Sequence, residues 1–266
     1  MSGNISLAFA DLILALKKYR LIHELAWNDI KQRYRRTVLG PLWISLSIAA
    51  TILGLGLLFG AIFQQKNSSY LPYLAVGILF WTFISGVISE GGDSFIAMHN
   101  VIKQISLPYS LYVFRVIYRN LIMMGHNLVV AVIIFYLLDI EIWHFNILVI
   151  PQFLLGIVNL FWMALFLAVI SARYRDINPI ATNGLQLFFY LTPIIWMVDQ
   201  VKDNRFINAA LLYNPFYYIL TSLRSVMDGV IMSENQMVVL GAMALLGLLL
   251  SFIVFCINYK RIAFWL

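Results

Sequence analysis

Apolar residues fill long stretches of this chain, and the charged residues fall between those stretches in tight clusters. Six stretches free of Asp, Glu, Lys and Arg exceed the roughly 18 residues needed to cross a hydrocarbon layer: residues 37–65, 67–89, 120–138, 142–172, 177–198 and 235–259. Each is predicted to be a transmembrane helix. A seventh apolar stretch, 206–223, is broken by Tyr213-Asn214-Pro215 and flanked by charge. The break predicts two half-helices hinged at Asn214-Pro215, re-entrant from the outer face like a gate.

Two further segments carry helical periodicity without the length to span. In residues 1–36, Phe9, Leu12, Ile13, Leu16 and Tyr19 form a stripe that leads into Lys17-Lys18-Tyr19-Arg20. Trp27, Ile30 and Tyr34 continue it, with Asp29 and Arg33 spaced as an i,i+4 ion pair. Such a segment lies in the membrane interface, its cations towards lipid phosphates. A plain anchor and a functional collar both fit. In residues 90–108, Gly91-Gly92 breaks the preceding helix, Asp93 or Ser94 can cap a new one, and Pro108 ends it. Phe95, Met98, Ile102 and Ile105 recur at helical spacing. The predicted three-turn amphipathic helix must bury that face in the bilayer interface or in a groove of a partner protein.

Composition agrees with the pattern and removes alternatives. Of 266 residues, 62% are apolar and 11% charged, against about 25% charged in soluble domains. Mean hydropathy is +0.87. A soluble fold, a disordered chain, a coiled coil and a disulfide scaffold are excluded, and the single cysteine, Cys256, reads as a small hydrophobe. Six crossings with both termini cytoplasmic place all basic residues except Lys66, Lys202, Arg205 and Arg224 inside, as the positive-inside rule asks.

The missing chemistry is equally informative. There is no Gly-Lys dipeptide, hence no phosphate loop for ATP. His23, His99, His126 and His144 lack metal-ligand spacing, and no hydrolase motif occurs. No catalytic or metal site is expected, and nothing points to a nucleic-acid partner. None of the six cores holds an ionisable group except His126, which fits either packing or function, so a coupled-ion carrier is disfavoured. A transporter of this kind must take its energy from another polypeptide.

One stretch carries a family resemblance. Arg33-Tyr34-Arg35-Arg36-Thr37-Val38-Leu39-Gly40-Pro41-Leu42-Trp43, a basic-aromatic cluster running into L-G-P-x-W, resembles the ABC-2 type permeases, and among them the polysaccharide-export subunits. Asn100-Val101-Ile102-Lys103, Arg173-Tyr174-Arg175-Asp176, Thr192-Pro193-Ile194-Ile195-Trp196 and Asn214-Pro215 lie at matching places. Leu107-Pro108-Tyr109-Ser110 departs from that family's usual turn of an aromatic residue, Pro, Arg and Glu.

The resemblance implies an all-α integral membrane fold forming one transmembrane domain over 1–266. Residues 1–36 would be the interface region, 37–259 a six-span core and 260–266 a cytoplasmic tail. It implies a homodimer in the bacterial inner membrane, with two copies of a separate ATPase subunit that hold ATP and Mg2+, and no cofactor on this chain. It further implies a coupling helix seating Asp93, Phe95, Met98, Asn100, Ile102 and Lys103 in the ATPase. Arg33, Tyr34, Arg35 and Arg36 would meet the pyrophosphate of a lipid-linked glycan. Trp43, Tyr73, Trp81 and Tyr190 are candidate channel-lining residues, because aromatic faces stack on sugars, and Asn214 and Pro215 mark the outer gate. The expected function is ATP-driven export of lipid-linked polysaccharide, O-antigen first. Capsule, teichoic acid or a small molecule are the alternative cargoes, and an embedded transferase on lipid-linked sugar is the rival of another class.

Overall fold

The structure is a computed structural model and describes every residue except Met1, Arg36, Val38, Leu39, Pro41, residues 140–145 and Lys202. Among the described residues the regular structure is helical throughout. The interface region forms α1 (Ser2–Lys17) and α2 (Tyr19–Arg33), and the bundle begins with α3 (Leu42–Ile62) and α4 (Asn67–Gly92). Two short helices, α5 (Ser94–Ala97) and α6 (His99–Gln104), lead to α7 (Tyr109–Leu137), α8 (Val149–Arg173) and α9 (Ile177–Leu191). The half-helices α10 (Arg205–Tyr213) and α11 (Pro215–Asp228) follow, then α12 (Glu234–Asn258) and the terminal turn α13 (Ile262–Trp265).

Among the described residues five helices are long and apolar enough to cross a membrane: Leu42–Ile62, Ser69–Gly92, Tyr109–Leu137, Val149–Arg173 and Glu234–Trp265. Of the six expected spans, the fifth is the one that forms no single helix of crossing length. There α9 stops at Leu191 after 15 residues, about 22 Å at helical rise and short of the roughly 30 Å of hydrocarbon. Pro193 is the cause, since the residue before a proline is pushed out of helical geometry; Thr192 is extended. Residues 192–196 continue upward beside α4. Tyr70 Oη donates to the Ile195 carbonyl at 2.6 Å, and Tyr73 Oη to those of Pro193 and Trp196 at 2.8 and 3.1 Å. At the other end Asn178 lies against Gly92. The stretch 178–195 therefore runs the length of α4 from Gly92 to Tyr70.

The third span is also longer than the charge-free stretch. Its helix starts at Tyr109, not residue 120, so it carries Arg115 and Arg119 in its first turns. The fourth begins at Val149, and residues 142–145 of its expected range lie outside the described residues. The last matches closely, with Ser233 and Gln236 forming a reciprocal capping box.

The central helix is α4, packed against α3, α7, α8, α9 and α11. Gly56 contributes to the fit with α3: a Cβ there would lie 2.2 Å from Leu71 Cδ2, so a larger residue would require the Leu71 side chain to move. The glycines of α3 thus serve packing within the chain at Gly56, whereas Gly54 faces open space. On α1 the small residues Ala8 and Ala15 face inward with Asp11, while Ile5, Phe9, Ile13 and Leu16 point away from the protein. That outward apolar face is the one expected to meet lipid.

The hinge forms where predicted. Asn214 caps α11, its side chain accepting from Phe216 N at 3.0 Å, and Pro215 takes the first helical position. The Asn214 amide also donates to Thr192 Oγ1 at 2.9 Å, which joins the hinge to the end of α9. Asn214→Ala removes the cap and the buried bond together. The expected loss is about 1–2 kcal/mol, measured as a lower melting temperature in detergent.

Candidate functional site

A groove with polar walls runs along α4 in an otherwise apolar bundle. Thr82, Ser85, Ser89 and Glu90 recur on one face of α4, opposite Asn120 and Met123 of α7 and Thr182, Gln186, Phe189 and Tyr190 of α9; the enclosed volume is 660 Å³. Thr82, Ser85 and Ser89 donate back to the helix carbonyls of Ile78, Thr82 and Ser85 at 2.8, 3.2 and 2.7 Å. Each hydroxyl thereby keeps acceptor lone pairs for a ligand. Gly86 lets α7 come close, since a Cβ there would stand 2.4 Å from Asn120 Oδ1.

One end of the groove is aromatic. Trp81 lies 5.9 Å from Phe189 and 5.7 Å from Phe216, ring centre to ring centre, and Phe189 is 5.3 Å from Tyr190. Phe216 opens α11, so the aromatic cluster touches the half-helix that the Asn214-Pro215 hinge positions.

The other end is ionic. Glu90 accepts from Arg33 at 2.8 Å, from Arg119 at 2.6 Å and from Asn120 Nδ2 at 2.7 Å. Asp29 accepts from Arg115 Nε at 2.6 Å and from Arg119 at 2.9 Å. The Glu90 hydrogen bond raises Arg33 above the usual arginine value. The expected Asp29–Arg33 pair is therefore replaced: each residue reaches across to another helix, and the network ties α2 to α4 and α7. A second cavity of 410 Å³ begins here and extends past Asp93, Ala97, Met98 and Asn178.

The 90–108 segment departs from the single amphipathic helix. It breaks at Met98 into α5 and α6, and the Asp93 side chain makes no capping bond. Phe95 is fully buried in the chain's own core, 5.9 Å from the Tyr109 ring. It is not available to a partner, because inward packing on α7 and α8 already covers it. Met98 and Ile102 are half-buried against the same core. The face left open holds Asp93, Asn100, Lys103 and Ile105, the last 53% exposed.

Among the remaining expected residues, Trp81 and Tyr190 line the groove. Tyr73 is not among its walls and holds residues 193–196, with the Arg224 guanidinium 4.0 Å over its ring. Trp43 is 49% exposed on α3, away from the groove. Arg33 lines both cavities, Tyr34 is half-buried, Arg35 exposed, and Arg36 lies outside the described residues. His126 is exposed and not among the groove walls, its ring Nδ1 2.9 Å from the Ile122 carbonyl of its own helix.

Glu90, Asp29, Arg115, Arg119 and the hydroxyl stripe were missed. The stripe had a signal in the sequence, three hydroxyl residues at one helical face of an apolar span. The ions had only the i,i+4 spacing of Arg115 and Arg119.

Comparison with known proteins fits this architecture. The family described as ABC-2 type transporter matches residues 20–227. An O-antigen export system permease protein RfbA from Myxococcus xanthus is 25% identical over 81% of this chain and 83% of its own. A protein of the same name from Klebsiella pneumoniae is 26% identical over 78% of this chain and 80% of its own. With helices of membrane-crossing length and a family match over most of its length, the chain belongs to the ABC-2 type transporter family.

Proposed function

We propose that this chain is the membrane-spanning subunit of an ATP-driven exporter of lipid-linked polysaccharide, O-antigen first, in a bacterial inner membrane. The carrying observation is the groove along α4. Moving one unpaired hydroxyl into an alkane-like medium costs about 4–8 kcal/mol, so a glycan needs acceptors and amides along its path. Thr82, Ser85, Ser89, Asn120, Thr182 and Gln186 offer them, and Trp81, Phe189 and Tyr190 offer ring faces. The names of the two relatives support O-antigen as the cargo.

Among the described residues the walls of the groove come from α2, α4, α7 and α9, an open groove that favours a homodimer in which a second copy closes the conduit. With both termini cytoplasmic, the exposed face of α5–α6 meets a separate ATPase subunit, one per chain, that holds ATP and Mg2+. Residues 177–196 then make the sixth crossing, part helix and part extended chain.

The test is co-purification with the candidate ATPase subunit, followed by ATP turnover of the complex. Turnover is expected to require both proteins. Ile105→Asp, on the open face of the coupling segment, is expected to reduce complex formation by about tenfold with an unchanged melting temperature. An ATPase that never co-purifies, and whose turnover ignores this chain, sinks the reading.

A further inference from the structure

The larger groove and the smaller cytoplasmic cavity share Arg33, Ser89, Glu90 and Thr182 as walls. Anything passing from one to the other passes the Arg33–Glu90 ion pair. Its two halves are held very differently. The Arg33 side chain is 44% exposed, while those of Arg115 and Arg119 are 8% and 12% exposed. Besides Glu90, Arg33 has a contact of 3.8 Å with Met123 Sδ. Glu90 keeps Arg119 and Asn120 on its other oxygen whether or not Arg33 stays. Opening the pair therefore strands no buried charge, which is the costly step in breaking most ion pairs.

Donors for an anion stand beside it. The linked network has three guanidinium groups, Arg33, Arg115 and Arg119, against two carboxylates, Asp29 and Glu90. Asp93 lies further along the smaller cavity, exposed. Arg119 Nε is buried with no partner among the described residues. A guanidinium fork pairs bidentately with a carboxylate or a phosphate alike, and a phosphate, with more oxygens, can engage two guanidinium groups at once. Arg33 ends α2, and its side chain is 44% exposed, so an incoming anion can reach it.

The geometry points to Arg33–Glu90 as a latch across the passage, opened by a phosphate or pyrophosphate on an isoprenoid tail that takes Arg33 and Arg119. Glu90 is the internal competitor for that ligand and closes the latch when the ligand leaves. The lipid tail rests on the exporter reading; the competition between Glu90 and an anion does not.

The experiment measures binding of farnesyl pyrophosphate to the full chain in nanodiscs, with farnesol and inorganic pyrophosphate as comparison ligands. Arg33→Gln and Arg119→Gln are expected to weaken binding by about tenfold or more. Glu90→Gln is expected to tighten it by about tenfold, because a negative charge beside the anion is removed. An ion pair with a purely structural role predicts the opposite, weaker or unchanged binding in Glu90→Gln, and that result overturns the latch. Arg33→Lys, which keeps the charge, is expected to retain part of the affinity and guards against misfolding as the explanation. Inorganic pyrophosphate binding as tightly as the farnesyl compound would make this a free-anion site and overturn the lipid-linked assignment. None of these readouts needs the ATPase, so a failed export assay and a failed latch are told apart.

Discussion

Asp11→Ala is expected to lower the melting temperature of the purified chain by about 5–10 °C, the largest stability effect anticipated from any polar substitution discussed here. Asp11 is 2% exposed. Its carboxylate accepts from Tyr109 N at 2.7 Å, from Ser110 N at 3.0 Å and from Ser110 Oγ at 2.5 Å, and from Tyr259 Oη at 3.0 Å. It is thus an N-cap for α7 supplied by a different helix, placed where the backbone N–H groups and the helix dipole both favour negative charge. Losing it strands several buried donors at about 1 kcal/mol or more each, roughly 3 kcal/mol in all. For a chain of this size, each kcal/mol shifts the midpoint by about 2–4 °C. Asp11→Asn keeps one acceptor and is expected to lose about half as much. Thermal unfolding followed by size exclusion in detergent reads both. A shift below about 2 °C in Asp11→Ala would mean that water replaces the carboxylate.

The same carboxylate sits where three segments of the chain meet. Tyr109 and Tyr259 pack edge to face at 5.2 Å, and Phe95 of α5 lies against Tyr109. Through this cluster the interface helix α1, the coupling segment and the end of α12 are joined.

Ser85→Trp is expected to reduce glycan export by about tenfold or more while the complex keeps its ATP turnover. Ser85 lies midway along the groove, between the ionic mouth and the aromatic end. An indole there fills space the polymer needs and removes an acceptor. Leu249→Trp, on the outward face of α12 where Leu249 is 54% exposed, is the matched control and is expected to export normally. Equal export from both variants would show that the polymer takes another route.

Arg33, Trp81 and Tyr190 of the groove were legible in the sequence, and the misses have more than one cause. Phe95 and Met98 had helical spacing with Ile102 and Ile105, but spacing says which residues share a face, not whether that face meets a partner or the chain's own core. Here α7 and α8 cover it first. Charge-free length put the start of the third span at residue 120, because Arg115 and Arg119 look intolerable in a crossing helix. They are tolerable because Asp29 and Glu90, 86 and 29 positions away respectively, neutralise them. The fifth span failed differently: its apolar length was adequate, but Pro193 ended the helix early.

What the sequence alone determined is local or additive. Apolar runs, charge asymmetry, the Asn214-Pro215 break and the Ser233 capping box act within a few residues or sum along the chain, so membrane residence, helix type and the outer hinge could be read directly. The tertiary structure alone decided which face of α4 became a groove wall and which carboxylate each arginine met. It also decided that Asp11 would cap a helix beginning 98 positions later. Those outcomes depend on helices brought together by packing. In helices apolar nearly all round, no periodicity marks the side that will face a neighbour.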